Sequence, residues 1–148
     1  MTDRIEKSIE VNAPVSRVWR ALTDHVQFGA WFGVEVDCPF VVGEPVGGRK
    51  TRPCSDNLEW AATIVTMEPE RLFSFTWVPY ALGPDEGRTL VEFTLEPSVT
   101  GTLVRVVESG FDKLPLARRL EAFPRHSEGW EIQLQNLADH LVPTGVSA

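Results

Sequence analysis

Alternating apolar and polar positions in residues 4–11 and in much of residues 34–108 predict an antiparallel sheet. In residues 4–11, for example, Ile5, Ile9 and Val11 fall on one face and mostly charged residues fall on the other. The same pattern recurs in residues 34–40, 58–67, 71–78, 89–96 and 102–108. Because mostly short connections separate these segments, we expect neighbouring strands to pair antiparallel. The sheet should contain about six or seven strands.

Two segments rich in glycine and proline lie between the strands. Residues 43–48 read Gly-Glu-Pro-Val-Gly-Gly and predict a turn-rich hairpin. They are not a phosphate-binding loop, because no lysine followed by serine or threonine stands at the required spacing. Residues 80–87 predict a loop by their composition.

Helical spacing follows the first strand. Pro14 stands near the start of this segment, and apolar residues then recur at i, i+3, i+4 and i+7. This pattern predicts an amphipathic helix that runs to about Thr23. The short aromatic segment between His25 and Gly33 predicts a helical turn that packs on the core.

The C-terminal segment carries a longer helical pattern. Its apolar stripe consists of Trp130, Leu134, Leu137 and Leu141. The stripe predicts one helix from about Arg125 to Leu141, and Pro124 interrupts or restarts the helix-compatible segment before it. A curved sheet wrapped around this helix is the compact arrangement that buries both the sheet face and the stripe.

Length, charge and cysteine content narrow the class of protein. The chain has 148 residues, so we predict a single domain over residues 1–148. Its net charge of -7 gives no general attraction to nucleic acid or to anionic membranes. No segment has the roughly 20 apolar residues of a membrane helix, and the charged N-terminus is unlike a secretory signal. Cys38 and Cys54 are too few for a disulfide framework, so we expect reduced thiols and a cytoplasmic location.

Motifs in a fixed order cover nearly the whole chain. They are Ala13-Pro14 with Val18-Trp19, Ala21-Leu22-Thr23-Asp24, Trp31-Phe32, Glu68-Pro69-Glu70-Arg71-Leu72 before Trp77, Val91-Glu92-Phe93 with Gly101-Thr102, Glu108-Ser109-Gly110-Phe111, and Gly129-Trp130 before the leucine stripe. Their order and spacing resemble those of START-like (SRPBCC, helix-grip) proteins. The most similar branch is the one named for the C-terminal domain of the activator of heat-shock protein 90 ATPase.

The resemblance implies an α+β fold of the helix-grip, Bet v-like type. In this fold a curved antiparallel sheet wraps around the long C-terminal helix and leaves a cavity between them. The resemblance carries no catalytic motif, because the superfamily includes lipid carriers, hormone receptors, aromatic cyclases and co-chaperone domains. Function therefore has to be argued from the residues of the site.

Large aromatic residues are the strongest candidates for the wall of such a cavity. Plain core packing explains the same residues, whereas apolar pockets with a few polar groups are the usual form of small-ligand sites. The residues that we predict to bind a ligand are Phe73, Phe75, Trp77, Phe93, Arg105, Trp130 and Leu134.

Glu92 and Arg105 are the polar candidates, and periodicity leaves the face of each open. If Val91 and Phe93 face inward, Glu92 faces solvent, but a shift of one residue would turn Glu92 into the cavity. Arg105, which stands between two valines, has the same ambiguity. A buried Glu92 beside Arg105 would be a candidate functional site, because a buried charge needs a partner.

The sequence carries no pattern for metal or nucleophile chemistry. His25, His126 and His140 lack metal-ligand spacing, and the two cysteines do not form a CxxC motif. No Gly-x-Ser-x-Gly motif is present. We therefore predict no metal, no cofactor and no catalytic residue.

Three functions stay open. The first is non-catalytic binding of a small hydrophobic or aromatic molecule. The second follows from the resemblance alone and is a stress-related or co-chaperone-like interaction protein with a chaperone as partner, although those proteins use a separate N-terminal domain for which this chain has no room. The third is a cyclase- or dehydratase-like enzyme with a cavity carboxylate, or a histidine near the mouth, as acid or base. A side-chain-filled interior would argue against the first and third functions, and an open cavity with a lone ionisable group would favour the third.

Overall fold

Within the described residues, seven strands form one antiparallel sheet, and a helix of 26 residues lies against its concave face. A computed structural model describes residues 4–50, 59–77, 88–114 and 116–141. The elements are β1 (Ile5–Val11), α1 (Val15–Thr23), α2 (His25–Phe32), β2 (Val34–Val36), β3 (Pro45–Lys50), β4 (Glu59–Glu68), β5 (Leu72–Trp77), β6 (Thr89–Pro97), β7 (Thr102–Ser109), a 3-10 helix (Phe111–Lys113) and α3 (Leu116–Leu141). The strand order is β1-β7-β6-β5-β4-β3-β2. The predicted α+β helix-grip fold is confirmed.

The concave face of the sheet is the apolar face that the alternation predicted. In β6, Val91 and Phe93 are fully buried, whereas Glu92 between them is partly exposed. Phe93 lies opposite Phe73 of β5, and this pairing fixes the register of the central strands. Of the two registers considered for β6, the one that turns Glu92 away from the interior is therefore correct.

Helix α3 begins earlier than the apolar stripe predicted. It starts at Leu116 and continues through Pro124 to Leu141, although a proline inside a helix removes one backbone hydrogen bond. The four residues of the stripe are each at most 3% exposed. Their burial against the sheet confirms that the stripe is the core-facing side of the helix.

Helix α2 is a full helix of eight residues rather than a single turn. The Asp24 side chain caps its N-terminus, and Gly33 ends it in the left-handed conformation, with φ at 88°. Between these caps the helix buries Phe28 and Phe32 against the sheet. The short aromatic segment therefore supplies a second helix to the interior.

Residues 45–50 form strand β3, so the predicted hairpin turn at residues 43–48 was wrong in its second half. The strand pairs with both β2 and β4. A Cβ atom at Gly48 would lie 2.6 Å from the carbonyl oxygen of Glu35. The glycine therefore allows β2 and β3 to approach closely, which is one of the roles of glycine inside a strand. Strand β2 has only three residues, so the strand predicted for residues 34–40 ends at Val36.

Several sequence predictions fall at the limits of the described residues. The loop predicted at residues 80–87 and the thiol state of Cys54 lie outside them. Cys38 is a free, exposed thiol.

Among the described residues, no helix is long and apolar enough to span a membrane. Within the same ranges, no group of histidine, cysteine and carboxylate side chains could hold a metal ion.

Candidate functional site

Aromatic rings from the sheet and from helices α2 and α3 pack together in the interior. Trp77 stacks on Trp130 with 5.6 Å between ring centroids, and Phe93 meets Trp130 edge-on at the same distance. The ring centroid of Phe75 lies 5.4 Å from that of Trp77 and 6.4 Å from that of Phe93. These spacings are typical of favourable aromatic contacts. We define the ring cluster as Phe28, Trp31, Phe32, Phe40, Phe73, Phe75, Trp77, Phe93 and Trp130.

Most of the predicted ligand-binding residues belong to this interior. Those that are at most 3% exposed are Phe73, Phe75, Phe93, Trp130 and Leu134. Trp77 is partly exposed and ends β5 at one edge of the cluster. The rings therefore contact one another across the part of the interior that the structure describes.

Arg105 does not join the ring cluster, so its placement among the lining residues was wrong. It lies on the convex face of β7, and its side chain is 40% exposed. Its guanidinium group is 3.3 Å from the carboxylate of Glu6 on the neighbouring strand β1. Val104 and Val106, on either side of it, are fully buried on the concave face. Strand alternation therefore turns both Arg105 and Glu92 away from the interior.

The buried carboxylate of Glu108 lies beside the ring cluster. The sequence analysis named this residue only as part of a family motif and not as a site residue. Glu108 is fully buried on β7. Its Oε1 atom accepts hydrogen bonds from Nε1 of Trp130 at 2.8 Å and from Nδ1 of His126 at 2.7 Å. Its Oε2 atom accepts from Nε1 of Trp77 at 2.8 Å and from Oγ1 of Thr89 at 2.5 Å. We call these five side chains the carboxylate network.

The carboxylate network joins the end of the sheet to α3. Trp77 is the last residue of β5, Thr89 is the first residue of β6, and the two are paired across the strands. Just after β7, Gly110 adopts a φ of 96°, which favours glycine, and turns the chain into the 3-10 helix. Phe111, at the start of that helix, packs its ring 5.9 Å from the ring of His126. The turn therefore closes one side of the network.

The hydrogen bonds of the network keep Glu108 charged. Burial alone would raise the pKa of this carboxyl group, but the hydrogen bond and charge of His126 and the hydrogen bonds of Thr89 and Trp77 lower it below its ordinary value of 4.5. An ionised carboxylate accepts hydrogen bonds and cannot donate one. The proton between Oε1 of Glu108 and Nδ1 of His126 therefore resides on Nδ1, which donates the hydrogen bond.

The sequence contains a signal for the face of Glu108 but not for its partners. From Thr102 onward, every second residue of β7 is buried, and Glu108 is the last of that series. Alternation could therefore have placed its carboxylate inside the fold. Nothing in the local pattern shows that Trp77, His126 and Trp130 converge on it, because they come from segments distant in sequence.

A half-open groove lies at the same end of the sheet as the network. Its volume is about 580 Å³, and its lining residues are Thr76, Arg88, Thr89, Leu90, Ser109, Gly110 and Asp112. Thr89 belongs to both the groove and the carboxylate network. Trp77 and His126 are the partly exposed members of the network, and neither is among the residues that line the groove. Thr89 is therefore the residue that connects the groove to the network.

Comparisons with known proteins agree with the observed fold. The model of the family described as Activator of Hsp90 ATPase homolog 1-like protein matches residues 12–142. No curated protein matches the chain. The solved structure of MLL2253 from Mesorhizobium loti is 25% identical, with a TM-score of 0.78 over 95% of this chain and 98% of that chain.

Two further solved structures share the fold. DynU16, described as a protein in the dynemicin biosynthetic locus, is 26% identical with a TM-score of 0.77, and the match covers 98% of this chain and 49% of that chain. The Aha1 dimer from Colwellia psychrerythraea is 18% identical with a TM-score of 0.73, over 95% of this chain and 96% of that chain.

Proposed function

We propose that this chain, which belongs to the Activator of Hsp90 ATPase homolog 1-like family, binds a small aromatic or otherwise apolar molecule at the edge of the ring cluster formed by Trp77 and His126. The carboxylate network is the observation that carries the proposal. A fully buried charge costs several kcal/mol of desolvation, which an apolar residue of similar volume would avoid. Titratable groups with such perturbed surroundings concentrate at functional sites.

The surroundings of the network suit an apolar ligand with few polar groups. Small-molecule sites are mostly lined by apolar and aromatic side chains, with a small number of polar groups that fix the orientation of the ligand. Here the ring of Trp77 offers a flat apolar surface, and His126 offers a polar one. Glu108 has all four of its hydrogen bonds filled, so it orients its neighbours rather than contacting the ligand.

A ligand would reach the ring cluster most directly at Trp77, because this residue ends β5 and is less buried than the phenylalanines of β5 and β6. The affinity for probes other than the natural ligand should be weak to moderate. An apolar pocket distinguishes ligands that differ by one methylene group by only about 1–3 kcal/mol.

The comparisons are consistent with a small-molecule function. Helix-grip domains of this kind commonly bind ligands or take polyketide cyclase-like roles, and DynU16 places a similar domain in a biosynthetic locus. The alternative hypothesis, a chaperone partner, rests on the family description alone. It becomes the leading hypothesis if ligand binding fails. The expected cytoplasmic location also stays a prediction.

Tryptophan fluorescence tests the proposed function. A panel of flavonoids, fatty acids and sterols should include compounds that change the emission in a saturable way, because Trp77 would contact the ligand. The change should shrink in the variant Trp77→Phe and persist in Trp19→Phe, a matched control on helix α1. If no compound produces a saturable change, or if Trp77→Phe leaves the change intact, the proposed binding site is wrong.

A further inference from the structure

We infer that the half-open groove at the end of the sheet binds a small organic carboxylate, with the guanidinium group of Arg88 as the partner of the anion. This site is separate from the one proposed above, because neither Trp77 nor His126 lines the groove. The class of ligand is a single carboxylate group on a compact apolar body.

Strand register places one row of groove residues on the convex face of the sheet. Thr76 of β5 pairs with Leu90 of β6, and Leu90 pairs with Ser109 of β7. Leu90 is two residues from Glu92, whose side chain lies on the convex face, and side chains alternate along a strand with a period of two. The row therefore faces away from the ring cluster.

Arg88 supplies the positive charge of the groove. It precedes Leu90 by two residues and is exposed. Its Nη1 atom donates to Oγ1 of Thr76 and to Oγ1 of Thr63, which is paired with Thr76 on β4, each at 3.4 Å. The side chain thus reaches across two strands of the convex face.

Most of the hydrogen-bonding capacity of Arg88 stays unused in these contacts. A guanidinium group has five N–H donors and no acceptor. Both of its hydroxyl contacts are long, and among the described residues no carboxylate forms an ion pair with it. The remaining donors are therefore left to solvent or to a ligand that carries an anion.

The rest of the groove selects the class of anion. A planar carboxylate can accept two parallel hydrogen bonds from a guanidinium group. Leu90, which is half-buried, offers apolar surface to the body of the ligand, and the groove volume of about 580 Å³ is typical of small-molecule sites. Asp112 also lines the groove, and the chain has a net charge of -7. A ligand with several negative charges would therefore be repelled.

Titration with benzoate, followed by two-dimensional NMR of the isotopically labelled chain, tests this inference. The backbone amide signals of Leu90, Ser109 and Gly110 report on the groove, and the indole signals of Trp77 and Trp130 report on the ring cluster. We expect saturable shifts of the groove amides with a dissociation constant of roughly millimolar size, because one exposed ion pair contributes little. Added salt should weaken the binding. Benzamide, which has the same ring without the charge, should give no saturable shift.

Substitution of the two arginines of the convex face identifies the partner of the anion. Arg88→Gln removes the charge and should weaken benzoate binding about fivefold, the upper end for a single exposed ion pair. The matched control is Arg105→Gln, because Arg105 lies on the same face but contacts Glu6 and does not line the groove. This variant should bind benzoate as the unmodified chain does.

Other results would overturn the inference. Equal affinity in Arg88→Gln and the unmodified chain would show that the guanidinium group does not hold the anion. Inorganic phosphate has no apolar part and carries more than one negative charge on average at pH 7, so it should bind more weakly than benzoate. If it binds equally or more tightly, the assigned class of ligand is wrong.

The same spectra distinguish this inference from the proposed function. Shifts confined to the indole signals of Trp77 and Trp130 would place benzoate at the ring cluster, which supports the proposed function and contradicts the groove site. If no signal shifts in a saturable way, the groove site is wrong, and the fluorescence panel decides independently whether the site at the ring cluster exists.

Discussion

The substitution Glu108→Gln is expected to lower the free energy of unfolding at pH 7 by about 2–5 kcal/mol, because each buried donor left without an acceptor costs about 1–3 kcal/mol. The amide has only one acceptor oxygen, and its NH2 group would face donors from Trp77 and Thr89 or from Trp130 and His126. Donors left without an acceptor in the interior are destabilising. Urea denaturation followed by circular dichroism measures the change.

Glu92→Gln is the matched control for this experiment. Glu92 is also in the central sheet, but its side chain lies on the convex face and is partly exposed. Its substitution should change the free energy of unfolding by less than about 0.5 kcal/mol, as is usual for surface positions. Equal losses in the two variants would show that the carboxylate network contributes nothing specific to stability.

The contribution of Glu108 to stability should also depend on pH. Its pKa is lower in the folded chain than its ordinary value of 4.5. The stabilisation is therefore present above about pH 4.5 and is lost as the pH falls through the folded-state pKa. The difference between the unmodified chain and Glu108→Gln should therefore shrink as the pH falls through the acid range. A difference that stays constant throughout the acid range would mean that the charge of Glu108 is not the source of the stabilisation.

The sequence was sufficient to predict the elements that bury one continuous apolar face. Strand β6 alternates along its central residues, and the stripe on α3 repeats at helical spacing, so local pattern and tertiary burial agree. Strand β3 was mispredicted because the role of Gly48 is not local. Its lack of a side chain matters only because the Glu35 carbonyl of β2 lies against it.

The candidate site was only partly predictable for the same reason. Periodicity predicts that Phe75, Phe93 and Trp130 lie on the inward faces of their strands and helix. Their rings meet in the interior as expected. Periodicity left the face of Arg105 open, and only the burial of Val104 and Val106 on either side of it shows that Arg105 lies on the outer face. The convergence of four donors on Glu108 depends on strand pairing and helix docking, which no local pattern contains.

Trp130→Ala is expected to destabilise the fold by about 3–5 kcal/mol, the usual cost of truncating a large buried aromatic residue. Trp130 is 2% exposed and packs its ring against Phe32, Trp77 and Phe93. Truncation would leave a cavity among these rings and would also remove one donor to Glu108. Urea denaturation measures the loss, and a value below about 1 kcal/mol would show that the α3 stripe is not part of the core.

The variant Trp130→Phe separates the two contributions of this residue. It keeps an aromatic ring among its neighbours but loses the Nε1 donor, so we expect a smaller loss of about 1–3 kcal/mol. Combining it with Glu108→Gln completes a double-mutant cycle. If Trp130 acts partly through the carboxylate network, the loss in the double variant should be smaller than the sum of the two single losses. Strict additivity would mean that the indole stabilises the fold by ring packing alone, and that the network depends on its other donors.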